Sequence, residues 1–113
     1  MKKKLLACGA LLLAVSLPGW AAKEYTPEEL RQMVGSGMFP PQHEPAEETR
    51  AVAFPQCKAV VRSLMSDVQP DYPVRTLTDA PAMLSVQLWT NDAAVVMSCS
   101  QDGRLVVQKS SYR

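Results

Sequence analysis

Three alternating runs near the C-terminus constrain the fold most strongly. Apolar and polar residues alternate over 83–90, 93–100 and 104–110, with only short polar turns between the runs. Alternation of this kind predicts β-strands. Because such short connections cannot carry a parallel crossover, we expect the three strands to form an antiparallel meander.

The two turns predict how the strands are paired. A two-residue turn at Asn91 and Asp92 places Leu84 opposite Cys99 and makes one face of the sheet apolar. For the second turn we predict a three-residue loop that ends at Gly103, because a two-residue loop would turn Gln108 into the core. With this pairing, Cys99 points inward from the sheet.

A longer helical pattern precedes the meander. It opens at Pro55, ends near Val68 and is stopped by Pro70. Its apolar positions recur at helical spacing and predict a buried stripe: Cys57, Val60, Val61, Leu64, Met65 and Val68. Short runs at 50–54 and 74–78 predict two further strands. The expected fold is therefore α+β, an antiparallel β-meander of four to five strands with one main helix packed on one face.

A short N-terminal helix is also predicted. Thr26 caps it, Pro27 opens it and Glu29 completes a capping box, while Gly35 ends it. Residues 36–48 contain three prolines and no apolar period, which is typical of a linker or extended arm. We therefore divide the chain into the short N-terminal helix at 23–35, a Pro-rich linker at 36–48 and the α+β domain at 49–113.

Residues 1–22 have the pattern of a cleavable signal peptide. Three lysines precede an apolar run too short to span a bilayer, and small residues follow, so we expect cleavage after Ala21 or Ala22. Cys8 follows a lipobox-like stretch, but the apolar run lies after it rather than before it. We therefore expect a protein exported to the periplasm of a Gram-negative bacterium or secreted, without lipoprotein anchoring at Cys8 and without a stable membrane span.

Two cysteines remain after residue 22, Cys57 on the inner side of the helix and Cys99 on the inner side of the sheet. In an exported protein this pair predicts one structural disulfide. The alternative is a thiol-redox or nucleophilic cysteine, because Cys57 lies near a helix N-terminus, where a thiol pKa is lowered. The chain has no Cys-x-x-Cys motif, so we favour the disulfide.

Composition argues against several functions. Nine basic and eleven acidic residues follow residue 22, a net charge of −2, which disfavours nucleic-acid binding. His43, the only histidine, lies in the linker. It could join Met33 and Met38 at a copper ion, or Ser98 in a catalytic triad, but nothing in the sequence positions its imidazole. We predict no metal, no cofactor and no catalytic residues.

The sheet face away from the main helix mixes large apolar and polar residues. This composition is typical of a contact surface, for which the candidate residues are Gln87, Trp89, Val96, Arg104 and Val106. The alternative is that the N-terminal helix folds back and covers this face. The sequence does not decide between them.

These features favour a small non-enzymatic domain that binds another periplasmic or envelope protein. A narrower form is an inhibitor or immunity protein for an exported enzyme or toxin, with six glutamates in 23–48 supplying charge complementarity. A homodimer is compatible with the sequence. The rival hypothesis is a small thiol-redox or other enzyme.

Overall fold

The computed structural model describes residues 23–113, and the predicted signal peptide with Cys8 lies outside them. The described part has two helices and five strands, in the order α1 (Pro27–Gly35), β1 (Ala46–Ala51), α2 (Phe54–Val68), β2 (Val74–Ala80), β3 (Met83–Trp89), β4 (Ala93–Ser100) and β5 (Arg104–Ser111). The strands form one antiparallel sheet in the order β1-β5-β4-β3-β2. The predicted α+β meander with one main helix and a short N-terminal helix is confirmed.

The predicted pairing of the central strands is confirmed residue by residue. Leu84 lies opposite Cys99, and Cys99 lies opposite Leu105. Gly103 has φ +86°, the left-handed conformation that the three-residue loop requires, and its N–H donates to the Ser100 carbonyl at 3.0 Å. Turn chemistry together with the alternating pattern was therefore sufficient to determine which residues face the core.

The first strand is four residues earlier than predicted. The sequence pattern predicts a strand at 50–54, whereas β1 spans Ala46–Ala51 and pairs along its length with β5. All six β1 residues are exposed, so no apolar alternation marks the strand in the sequence. Pairing of its backbone with β5 defines β1, while Val52 and Phe54 leave the sheet and pack on the core.

The main core lies between α2 and the centre of the sheet. α2 packs against β3 and β4, with Cys57 and Val61 buried among the apolar side chains of these strands. The predicted apolar stripe on α2 is only partly buried, because Val60 is 60% and Leu64 is 37% exposed. A single helix is about as wide as two strands, so one edge of the apolar stripe has no partner strand beneath it.

A second, smaller core lies on the opposite face of the sheet. Leu30 of α1, Trp89 of β3, Ala94 of β4 and Tyr112 at the C-terminus are all buried there. The predicted capping box forms, since the Glu29 N–H donates to Thr26 Oγ1 and the Thr26 N–H to Glu29 Oε1. α1 is therefore a well-terminated helix that docks on one end of the sheet.

Candidate functional site

Cys57 and Cys99 form the predicted disulfide. Their Cα atoms are 5.8 Å apart, and both residues are almost completely buried in the main core. The bond joins α2 to β4, which is the middle strand of the sheet. In this state neither sulfur carries a thiol, and neither contacts solvent, so the cysteines fix the helix on the sheet.

We call the sheet face opposite α2 the outer face. Strand pairing aligns Gln87, Val96 and Gln108 in one row across β3, β4 and β5. The neighbouring row contains Ser85, Ser98 and Val106. With Arg104 these two rows make up the open half of the outer face, in which most side chains are half-buried or exposed.

Trp89 does not belong to this open half. It was a candidate contact residue, but it is 1% exposed and lies in the cluster with Leu30 of α1. The N-terminal helix therefore covers the outer face at its Trp89 end. The other four candidates, Gln87, Val96, Arg104 and Val106, lie together on β3, β4 and β5 beyond the covered end.

Phe39 and Arg75 complete the boundary between the covered end and the open half. The Phe39 ring stacks on Trp89, and the Arg75 guanidinium lies 5.2 Å from the Phe39 ring centre and 5.5 Å from that of Trp89. Arg75 also donates to Gln87 Oε1 at 3.3 Å. Among residues 23–113, Trp89 Nε1 is buried without a hydrogen-bond partner. Such a stack combines ring burial with a cation–π contact.

No sequence pattern marks Phe39 as a contact residue, because the linker has no apolar period. Arg75 could have been placed on the outer face from its alternation with Val74, had the pairing of β2 with β3 been predicted. Tyr112 was also missed, although it is buried and its hydroxyl lies 2.7 Å from the Thr90 carbonyl and 2.9 Å from that of Ala93. Burial raises the pKa of the Tyr112 phenol well above its ordinary value.

Polar groups on and beside the open half are paired with one another. Ser85 Oγ lies 2.6 Å from Ser98 Oγ, and Gln108 Nε2 donates to Glu47 Oε2 at 3.3 Å. Arg104 forms an ion pair with Asp102 at 2.6 Å. The Arg104 guanidinium lowers the pKa of the Asp102 carboxyl, and a hydrogen bond from Ser100 lowers it further. The open half thus presents two valines among polar groups that are hydrogen-bonded or ion-paired to one another.

The structure does not bring together the residues considered for a copper site or a catalytic triad. Met38 is exposed, while the His43 N–H is bound to the Ser111 carbonyl at 2.8 Å. Ser98 has Ser85 as its hydroxyl partner. Across the described range 23–113, no three His, Cys, Asp or Glu side chains are grouped as metal ligands.

A cleft of about 590 Å³ lies at the end of α1 next to the loop that precedes β2. Its walls are mostly apolar and include Val34, Pro70, Tyr72 and Pro73. Arg31 lies at its rim and donates to the Asp71 carbonyl at 2.6 Å. This hydrogen bond ties α1 to the loop, so the cleft marks the junction between the two.

The molecule is a disulfide-stapled α+β domain with a partly covered sheet face. No family model, no curated protein and no solved structure matches this chain. Within residues 23–113, no helix is both long and apolar enough to cross a bilayer.

Proposed function

We propose that this chain is a small exported, non-enzymatic domain that binds another protein through the open half of its outer face. The proposal depends on one observation. Past the end covered by α1, the sheet presents Val96 and Val106 as diagonal neighbours on adjacent strands, with polar residues directly opposite both, and within residues 23–113 neither valine belongs to either core cluster.

The shape of the surface favours a protein partner. The open half is the face of a regular sheet, on which cross-strand neighbours lie about 5 Å apart. Small molecules are usually bound in concave pockets, whereas protein interfaces combine a few apolar groups with a polar rim. Val96 and Val106 are the apolar groups here, and Gln87 and Arg104 supply polar rim positions.

The disulfide supports the proposed compartment. Disulfides persist in the periplasm and outside the cell and are rare in the reducing cytosol. Together with the signal-like pattern of residues 1–22, the Cys57–Cys99 bond supports export to the periplasm or secretion.

A narrower form of the proposal is an inhibitor or immunity protein for an exported enzyme or toxin. Its support is the acidic segment that leads into β1, where Glu44 and Glu47 are exposed and Glu47 lies beside Gln108 of the open half. Carboxylates at a rim raise the association rate with a basic partner surface. An excess of the purified domain should then inhibit the enzyme that it captures.

Site-specific photo-crosslinking tests the binding face. A photoreactive amino acid is introduced at Val106 on the outer face or, as a matched control, at exposed Ser63 on α2, in cells that express the full chain. We expect one discrete protein adduct from position 106 and none from position 63. Purified wild-type protein should compete for the adduct, whereas a V96E/V106E variant should not.

Equal adducts from both positions, or none from position 106, would contradict the proposal. Retention of the disulfide and of the far-UV circular dichroism spectrum shows that each variant has folded. A competing V96E/V106E variant would also exclude the open half as the contact surface.

A further inference from the structure

β1 is a regular strand at an open edge of the sheet. It pairs with β5 on one side, and in the part of the chain that the structure describes no strand lies on its other side. The opposite edge, β2, has a register shift between Thr76 and Thr78, and such irregularities interrupt pairing with another strand. Free backbone groups on a straight edge strand are a template for a further strand.

Along β1, the backbone N–H and C=O groups of successive residues point alternately toward β5 and toward the open edge. The Val52 N–H donates toward β5, to the Gly103 carbonyl at 3.0 Å. Since hydrogen-bonded positions alternate along an antiparallel strand, Glu48 and Arg50 also direct their backbone groups to β5. Glu47, Thr49 and Ala51 direct theirs to the open edge, where an added strand would bind them.

The side chains of Glu48 and Arg50 lie on the face of α2. They are opposite Val107 and Leu105, which pack against the main core, and directly opposite residues share a face. Glu48 and Arg50 form an ion pair at 3.2 Å, with both side chains more than 60% exposed. An exposed pair of this kind can exchange partners at little cost.

Symmetry leaves one favourable pairing of β1 with itself. A two-fold pairing centred on Glu47, Glu48 or Arg50 places that charged residue opposite its own copy, which is destabilising. A pairing centred on Ala46 or on Ala51, at the two ends of the strand, leaves most of the strand unpaired. Centring on Thr49 places Glu48 opposite Arg50 of the second copy and Arg50 opposite Glu48 of the second copy.

We propose that β1 pairs antiparallel with β1 of a second copy of this chain, centred on Thr49. Thr49 then exchanges both backbone hydrogen bonds with Thr49 of the second copy, and Glu47 does so with Ala51 of the second copy. The two oppositely charged pairs fall on positions without backbone hydrogen bonds, where side chains approach most closely. The two five-stranded sheets join into one continuous sheet with both outer faces on the same side.

Charge exchange tests the proposed register. The protein is purified from cells that express the full chain, and its mass is measured by sedimentation equilibrium over a range of concentrations. We expect a dimer whose dissociation constant rises about tenfold with E48R or with R50E, because each creates like-charge pairs. The double variant E48R/R50E restores opposite charges across the two-fold axis and should restore the dimer.

A proline at position 49 tests the edge itself. Because the Thr49 N–H points to the open edge, Thr49→Pro removes a hydrogen bond to the second copy and none to β5. We expect a monomer with the disulfide and the circular dichroism spectrum retained, while the control Thr49→Val stays dimeric. A wild-type monomer at all concentrations would overturn the proposal, as would a dimer that survives both Thr49→Pro and the single charge reversals. Sedimentation uses no partner protein, so its outcome is independent of crosslinking at Val106.

Discussion

Phe39 and Trp89 stack with ring centres 5.6 Å apart and ring planes 12° from parallel. The two residues come from different parts of the chain, one from the proline-rich segment and one from the end of β3. Their contact attaches the segment between α1 and β1 to the outer face of the sheet. Phe39 thereby lies at the edge of the second core, which Leu30 of α1 and Tyr112 form with Trp89 and Ala94 on the side away from α2.

Leu30 keeps Trp89 shielded from water. Leu30→Ala should lower the free energy of unfolding by about 2–5 kcal/mol, because it removes a fully buried side chain and leaves a cavity. Trp89 is the only tryptophan after residue 22, so its emission should shift to longer wavelength and become more accessible to acrylamide. Gln32→Ala, at an exposed position of the same helix, is the control and should change neither property.

The disulfide should account for a large share of the stability. Cys57 and Cys99 are 42 residues apart, and closing a loop of that length stabilises the folded chain by about 4 kcal/mol on the chain-entropy model. We expect C57A/C99A to lower the urea midpoint accordingly. Alkylation of the wild-type protein should detect no thiol at either position before reduction. A free thiol at Cys57 or Cys99 in protein from the native compartment would reopen the redox hypothesis.

Gly103 and Gly35 form a matched pair for substitution by alanine. At Gly103 a Cβ would make only ordinary contact, 3.9 Å from the Val52 carbonyl, but φ is +86°. Gly103→Ala should therefore destabilise the fold by about 1 kcal/mol through backbone strain alone. Gly35 ends α1 with open space around it, so Gly35→Ala should be neutral or stabilising. Chemical denaturation of the two variants should give effects of different size, and equal losses would refute this explanation.

Tyr112 should resist ionisation at high pH. Its pKa is raised in the folded protein above its ordinary value of 10.0, mainly by burial, so the neutral phenol stabilises the fold. That contribution is fully present below about pH 10 and is lost as pH rises through the higher folded pKa. Ultraviolet titration should show one phenol that ionises only together with alkaline unfolding. In Tyr112→Phe this delayed fraction should disappear.

Short sequence motifs correctly predicted the elements whose local conformation they determine. The capping box at Thr26 and Glu29 specified α1, and the turn at Gly103 specified which residues of β5 face Cys99. β1 was placed too late because its six exposed residues have no apolar pattern, and only β5 defines it. Val60 and Leu64 were expected in the core because the helical pattern does not show how many strands a helix covers.

The candidate surface was predicted only in part for a similar reason. Alternation placed Trp89 on the same face as Val96 and Val106, which is correct. Whether a residue on that face is covered depends on α1 and Phe39, which reach it from distant positions in the chain. A single sequence contains no periodic signal for such a contact. The four candidates beyond the covered end remain predictions as binding residues.

β5 is the last in sequence of the strands described between residues 23 and 113, yet it lies between β1 and β4. β1 therefore lacks its partner strand until residues 104–111 have been synthesised, and Tyr112 closes the second core later still. Folding must proceed with a large share of distant contacts, which slows it. A chain truncated before Arg104 would leave β1 unpaired and Trp89 without the Tyr112 contact, and would present an unfinished domain to proteases.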